Sequence, residues 1–126
     1  MDTEDRKREL RKRTKEFSGT VVELFIRLDK RREELRILGK QLIRAGTSVG
    51  ANFREASHAR SPEEFVAKIA LCTQEADETQ FWLELLEEKC GVPTGIIQPI
   101  WKEADELIRI FVTMSKNTKR NREEET

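Results

Sequence analysis

Apolar residues recur along this chain at alternating steps of three and four, and breaks in that rhythm divide it into four segments. The first is Phe17, Val21, Leu24, Phe25 and Leu28, which predicts a helix from Thr14 to about Asp29. Ahead of it, residues 1–13 mix charges of both signs, with Leu10 as the one apolar residue after Met1. Such a stretch has no face to bury and is expected to be a frayed arm. Residues 30–34 then form a charged connection.

The second segment predicts a helix from about Glu33 to Arg60. Its seam is Leu35, Leu38, Leu42, Ala45, Val49, Asn52, Ala56 and Ala59, a heptad pattern of the kind that packs knobs into holes. Gly46 and Gly50 lie in a second, small-residue row beside it. Two glycines inside a helix cost about 2 kcal/mol relative to alanine, so close approach of another helix is the expected compensation. Ser61-Pro62-Glu63-Glu64 then reads as a capping box, with Ser61 the N-cap and Pro62 in the first helical position.

Phe65, Ile69, Cys72, Ala76, Thr79, Leu83 and Leu86 form the third seam, with Trp82 and Leu85 on an adjoining face in one row with Glu75 and Glu78. Gly91 is its stop signal. The fourth helix starts either at Thr94 or, after a short turn, at Pro99. It carries Ile100, Ala104, Leu107, Phe111 and Met114, with Trp101, Ile108 and Val112 beside them, and is expected to fade near Asn117. Residues 118–126 read as a disordered charged tail. Matched lengths and short connections predict an all-α, up-down-up-down, left-handed antiparallel four-helix bundle over residues 14–117.

Composition agrees with helices: 38% of residues are charged, and the chain has six Gly, three Pro and no Tyr. Net charge is zero but unevenly placed, with nine basic and five acidic groups in residues 17–60 against two and eight in residues 61–90. A basic and an acidic surface on one molecule suit self-association better than generic nucleic-acid affinity. Cys72 and Cys90, 18 residues apart on one helix, would lie ~27 Å from each other, beyond disulfide reach. Buried thiols in a reducing, cytoplasmic setting are expected. No apolar run here is long enough to span a bilayer.

Three groups of residues carry candidate roles. Arg44, Gly46, Gly50, Glu75, Glu78, Trp82 and Leu85 are candidates for a contact between protomers, where basic helix two would meet acidic helix three head to tail and close a ring. The alternative is that Arg44 pairs with helix three of its own chain. Ser48, Asn52 and Thr79 are candidates for a polar element that sets register in the core, the alternative being a solvent-facing Asn52 on a slightly rotated seam. Arg27, Lys30, Arg31, Arg32, Arg36 and Lys40 cluster near the first connection, where they form a solvated, ion-paired face or a phosphate-binding patch. Glu55-x-x-His58 has the spacing of di-iron carboxylate bundles, but His58 is the only histidine and lies off the seam. No metal, cofactor or small-molecule substrate is expected, and no nucleophile set or phosphate loop can be assembled.

Gln41-Leu42-x-Arg44-Ala45-x-Thr47-Ser48-Val49-Gly50-Ala51-Asn52-x-x-Glu55-Ala56 resembles the central motif of the bacterial 23S rRNA-intervening-sequence proteins. Ala59-Arg60-Ser61-x-x-Glu64-Phe65, Lys68, Glu75 to Thr79 and Trp82-Leu83 continue the likeness, which spans roughly residues 13–117. The resemblance implies a four-helix bundle that assembles into a cone- or barrel-like homopentamer, with no enzymatic activity. Distant relatives serve as accessory proteins of diversity-generating reverse transcriptases, in which a basic ring engages nucleic acid and the enzyme. This chain is neutral where those relatives are basic. The expected function is a non-enzymatic homo-oligomeric scaffold. An RNA- or DNA-binding accessory factor is the alternative, and a metal-dependent bundle enzyme a distant third.

Overall fold

A computed structural model describes residues 2–125 as four helices: α1 (Thr3–Arg27), α2 (Glu33–Ser57), α3 (Pro62–Cys90) and α4 (Thr94–Glu125). Among the described residues there is no strand. Each helix packs on the next in sequence, and a much thinner contact joins α4 back to α1.

Local chemistry sets most helix ends. Asp2 caps α1 by accepting from the Asp5 amide at 2.8 Å. At α3, Ser61 Oγ accepts from the Glu64 amide at 3.1 Å, and Glu64 reaches back to the Arg60 amide at 3.0 Å. The box thus closes one residue earlier than its usual form, in which the glutamate returns to the cap residue itself. Gly91 ends α3 at φ 76°, and the Val92 amide donates to Leu86 O. Glycine carries that left-handed turn without a Cβ clash. Of the two starts open for α4, Thr94 is the one observed, with Pro99 inside the helix.

α1 begins at Thr3 rather than Thr14, which corrects the expected frayed arm over its described part. Leu10 is buried at 5% exposure, Arg11 donates to Ser57 Oγ at 3.3 Å, and Arg13 forms a two-pronged pair with Glu103 at 2.8 Å and a contact to Glu106 at 3.0 Å. Long-range anchors of this kind leave no trace in the arm's own periodicity. α4 likewise continues past Asn117 to Glu125, with Arg122 on Glu63 at 3.1 Å, so the described part of the expected tail is helical. Met1 and Thr126, which the expected arm and tail included, lie outside the described residues.

The core runs the length of the four helices, from Leu10 and Phe65 through Val21, Leu42, Ile69 and Leu83 to Ile97 and Leu107. Phe53 and Phe111 stack within it, ring centroids 6.0 Å apart and planes 23° from parallel. Each such side chain, fully removed from water, contributes on the order of 1.5–3 kcal/mol. Along the α1–α2 contact, Gly39 meets Leu28 and Phe25, Gly46 meets Val21, and Gly50 meets Ser18 and Thr14. Residue numbers thus fall along α1 as they rise along α2.

Candidate assembly interface

Most helices here bury one stripe and solvate the rest, but α3 is apolar on both sides. Phe65, Ile69, Cys72, Ala76, Thr79, Leu83 and Leu86 point inward. On the other side Leu71 and Phe81 stand 41% and 51% exposed, and Trp82 and Leu85 are half-buried. Leu71 and Trp82 are about three helical turns apart, so they share a stripe with Leu85, and Phe81 flanks it. Phe81 meets Trp82 edge to face at 4.9 Å, and the indole N–H donates to Glu78 at 3.3 Å.

The register of α2 against α3 is marked by Lys68 on Glu55 at 3.2 Å, Cys72 Sγ near Val49 O at 3.9 Å, and Arg44 on Glu75 at 3.2 Å and on Glu78. Continuing those steps places Ile37, 48% exposed on α2, level with Leu85. Phe81, Trp82 and Leu85 with Ile37 therefore form an apolar band over neighbouring faces of α2 and α3, and the Arg44–Glu75–Glu78 cluster separates Leu71 from it. Ile26 on α1 and Val112 on α4 are exposed singly, which is ordinary for a protein surface.

Of the residues expected at a contact between protomers, Trp82 and Leu85 lie in this band. Gly46 and Gly50 do not. A methyl built on Gly46 falls 2.6 Å from Val21 Cγ1, and one on Gly50 falls 2.7 Å from Ser18 Oγ, so these glycines accommodate α1 of their own chain. Arg44, Glu75 and Glu78 are paired with each other across α2 and α3 of one chain, one guanidinium to two carboxylates. The alternative weighed for Arg44 is the one observed.

The expected register element is also rearranged. Ser48 Oγ donates to Arg44 O, Asn52 Nδ2 to Ser48 O, and Thr79 Oγ1 to Glu75 O, each within its own helix. The seam is rotated so that Phe53 is fully buried and Asn52 half-buried. Polar contacts between helices come instead from residues that the pattern did not single out. Ser18 Oγ donates to Gly46 O at 2.8 Å and accepts from the Gly50 amide at 3.1 Å, the carbonyl and amide that helical spacing pairs with each other. Gln80 Nε2 donates to Trp101 O at 3.3 Å. A serine one residue after a seam phenylalanine, opposite two glycines, was the available signal for the first.

The basic connection is largely neutralised. Lys30 Nζ caps α1 by donating to Phe25 O, Ile26 O and Leu28 O, and lies 4.7 Å over the Phe25 ring. Arg31 pairs with Asp29, Arg32 with Glu34 and Arg36 with Glu33. Asp29 is held below the usual carboxylate range, chiefly by its hydrogen bond from the Arg31 side chain. Arg27 and Lys40 are exposed and form no ion pair among the described residues. Glu55 pairs with Lys68, His58 is the exposed cap at the end of α2, and no group of three or more His, Cys, Asp or Glu among the described residues is arranged to hold a metal. Cys72 and Cys90 are buried free thiols, and burial pushes the Cys72 thiol up to about 12. No described helix is long and apolar enough to cross a membrane.

Comparison with known proteins agrees with this architecture. The family model described as 23S rRNA-intervening sequence protein matches residues 6–122. A solved structure from Bacteroides thetaiotaomicron VPI-5482, a protein of unknown function from the S23 ribosomal protein family, is 31% identical over 84% of this chain and 97% of its own, with a TM-score of 0.78. No curated protein matches.

Proposed function

This chain belongs to the 23S rRNA-intervening sequence protein family, and on that premise we propose that it acts as a non-enzymatic, homo-oligomeric scaffold. The bundle is read as up-down-up-down and left-handed, which the short connections and the opposed numbering across α1–α2 support. The observation that carries the assembly reading is the band of Ile37, Phe81, Trp82 and Leu85, with Leu71 exposed beyond the Arg44–Glu75–Glu78 cluster. Clustered aromatic and aliphatic side chains at a surface are the composition of an interface core, and water is a poor neighbour for them. Copies that cover this band with a face other than itself form a ring when the rotation between them closes, and the family resemblance favours closure at five. The buried thiols suit a reducing cytoplasm.

Nucleic-acid binding, by RNA, DNA or through a nucleic-acid enzyme, is the weaker reading. Of the six residues in the basic connection, four are tied to α1 carbonyls or to carboxylates, which leaves Arg27 and Lys40 per protomer. A ring would multiply those two cations, without base-reading groups beside them.

Light scattering coupled to size exclusion tests the assembly. Wild type at tens of micromolar runs at a multiple of the 14.7 kDa protomer. Phe81→Glu, at an exposed position, lowers that mass while leaving helical circular dichroism intact. A monomeric wild type, or an unchanged mass in the variant, refutes the reading.

A further inference from the structure

We infer that the cleft where α1 and α3 begin, beside the last turns of α4, binds a phosphomonoester with a flat, partly apolar body, of the size and chemistry of a nucleoside monophosphate. The cleft is half open to solvent and has a volume of ≈ 530 Å³, inside the ~300–1,000 Å³ range of small-molecule sites. Its residues do not overlap the apolar band on α2 and α3, so the inference stands apart from the assembly.

Charge comes first. Arg6 and Arg60 line the cleft, and neither guanidinium has a hydrogen bond or ion pair among the described residues. Lys7 adds a third cation, 3.8 Å from Glu4 and 5.3 Å over the Phe65 ring. The lining also holds one carboxylate, Asp2, which caps α1 through the Asp5 amide and keeps its charge, against the three cations. Many arginines on this surface are matched by nearby acids, as at Arg13, Arg31, Arg32, Arg36 and Arg44, whereas Arg27 and Arg54 stand unpaired but singly and outside this cleft. Here two are left unmatched on one concave wall. Guanidinium forks are the donors best shaped for a phosphate's oxygens. The starts of α1 and α3 add partial positive charge, but α2 ends at Ser57 nearby with the opposite sign, so side chains make the cleft cationic.

The rest of the wall suits the body of the ligand. Phe65, Pro62 and Met114 offer apolar surface. Asn117 and Asn121, four residues apart on α4, lie on the same side, with Asn117 Oδ1 accepting from Arg120 at 3.4 Å and its amide N–H groups left to donate. An amide offers both donors and an acceptor, the pattern that base edges also carry. A simple anion would leave Asn121 and the apolar wall unused.

Calorimetric titration at low salt tests this with 5′-AMP, adenosine and inorganic phosphate. AMP is expected to bind, and adenosine and phosphate at least about tenfold more weakly, as each forfeits one half of the contacts. Arg6→Gln combined with Arg60→Gln, both on exposed residues, lowers AMP affinity by about tenfold or more with circular dichroism unchanged. Tighter binding of a 5′-phosphorylated trinucleotide, with the same dependence on both arginines, supports the site and identifies an RNA end as the source. Absence of heat from millimolar AMP, phosphate binding as tightly as AMP, or undiminished binding by the double variant overturns the inference.

Discussion

Gly46→Ala separates two opposing effects whose sizes the structure decides. In an open helix position the change stabilises by about 1 kcal/mol, because alanine loses less backbone freedom on folding. At Gly46, however, the added methyl meets Val21 Cγ1 at 2.6 Å, Cγ2 at 2.8 Å and Cβ at 2.9 Å. Rotating the Val21 side chain moves the two methyls but not Cβ. Val21 is fully buried, so relief requires α1 and α2 to separate. Overpacking of this kind costs about 1–3 kcal/mol; with three Val21 atoms under 3.0 Å, one of them Cβ, the upper half of that range applies, and subtracting the propensity gain leaves a net loss of about 1–2 kcal/mol. Gly19→Ala is the matched control: it has nothing within 4 Å and should stabilise by up to about 1 kcal/mol. Urea unfolding at one fixed protomer concentration should place the two variants' midpoints on opposite sides of wild type, roughly 1 M apart. Adding Val21→Ala to Gly46→Ala should make the pair less destabilising than the sum of the single changes. A Gly46→Ala variant as stable as Gly19→Ala would show that the helices are not in contact there.

Two further outcomes follow from the same coordinates. Arg13→Ala removes the contacts to Glu103 and Glu106, a half-exposed set of ~1 kcal/mol; because α1 meets α4 only thinly, amide exchange should accelerate mainly in residues 3–13. Cys72 has a folded pKa of about 12 against 9.0 unfolded, so the unfolded chain loses its proton first and stability should fall as pH rises from 9 toward 12. Cys72→Ala, although less stable at neutral pH because of the cavity, should show a shallower fall over that window by denaturant titration at each pH; an equal slope would exclude the thiol as the cause.

The four helices were legible in the sequence because their signals are local. The Ser61-Pro62 start, the Gly91 stop and the three-and-four spacing of Leu35, Leu42 and Val49 are properties of neighbouring residues, and the structure uses each of them. Even the two-sided character of α3 was there to be read, in Leu71, Phe81 and Leu85 opposite Ile69 and Leu83. What tertiary structure decided is which of several adjoining faces turned inward and which charges met. A small rotation of α2 exchanges Asn52 for Phe53 in the core, where Phe53 stacks on Phe111 across the bundle. Gly46 and Gly50 promised a close contact without naming the partner, which Val21 and Ser18 of α1 supplied. Residues 3–13 have no apolar rhythm, yet Leu10 and Arg13 reach distant parts of the fold and hold that stretch in α1. The charges of Arg44 and the first connection looked available when counted along the chain, but pairing depends on distances across helices as well as along them. Periodicity reports how one helix divides its surface; the partner for each face is set by packing among all four, which no single segment encodes.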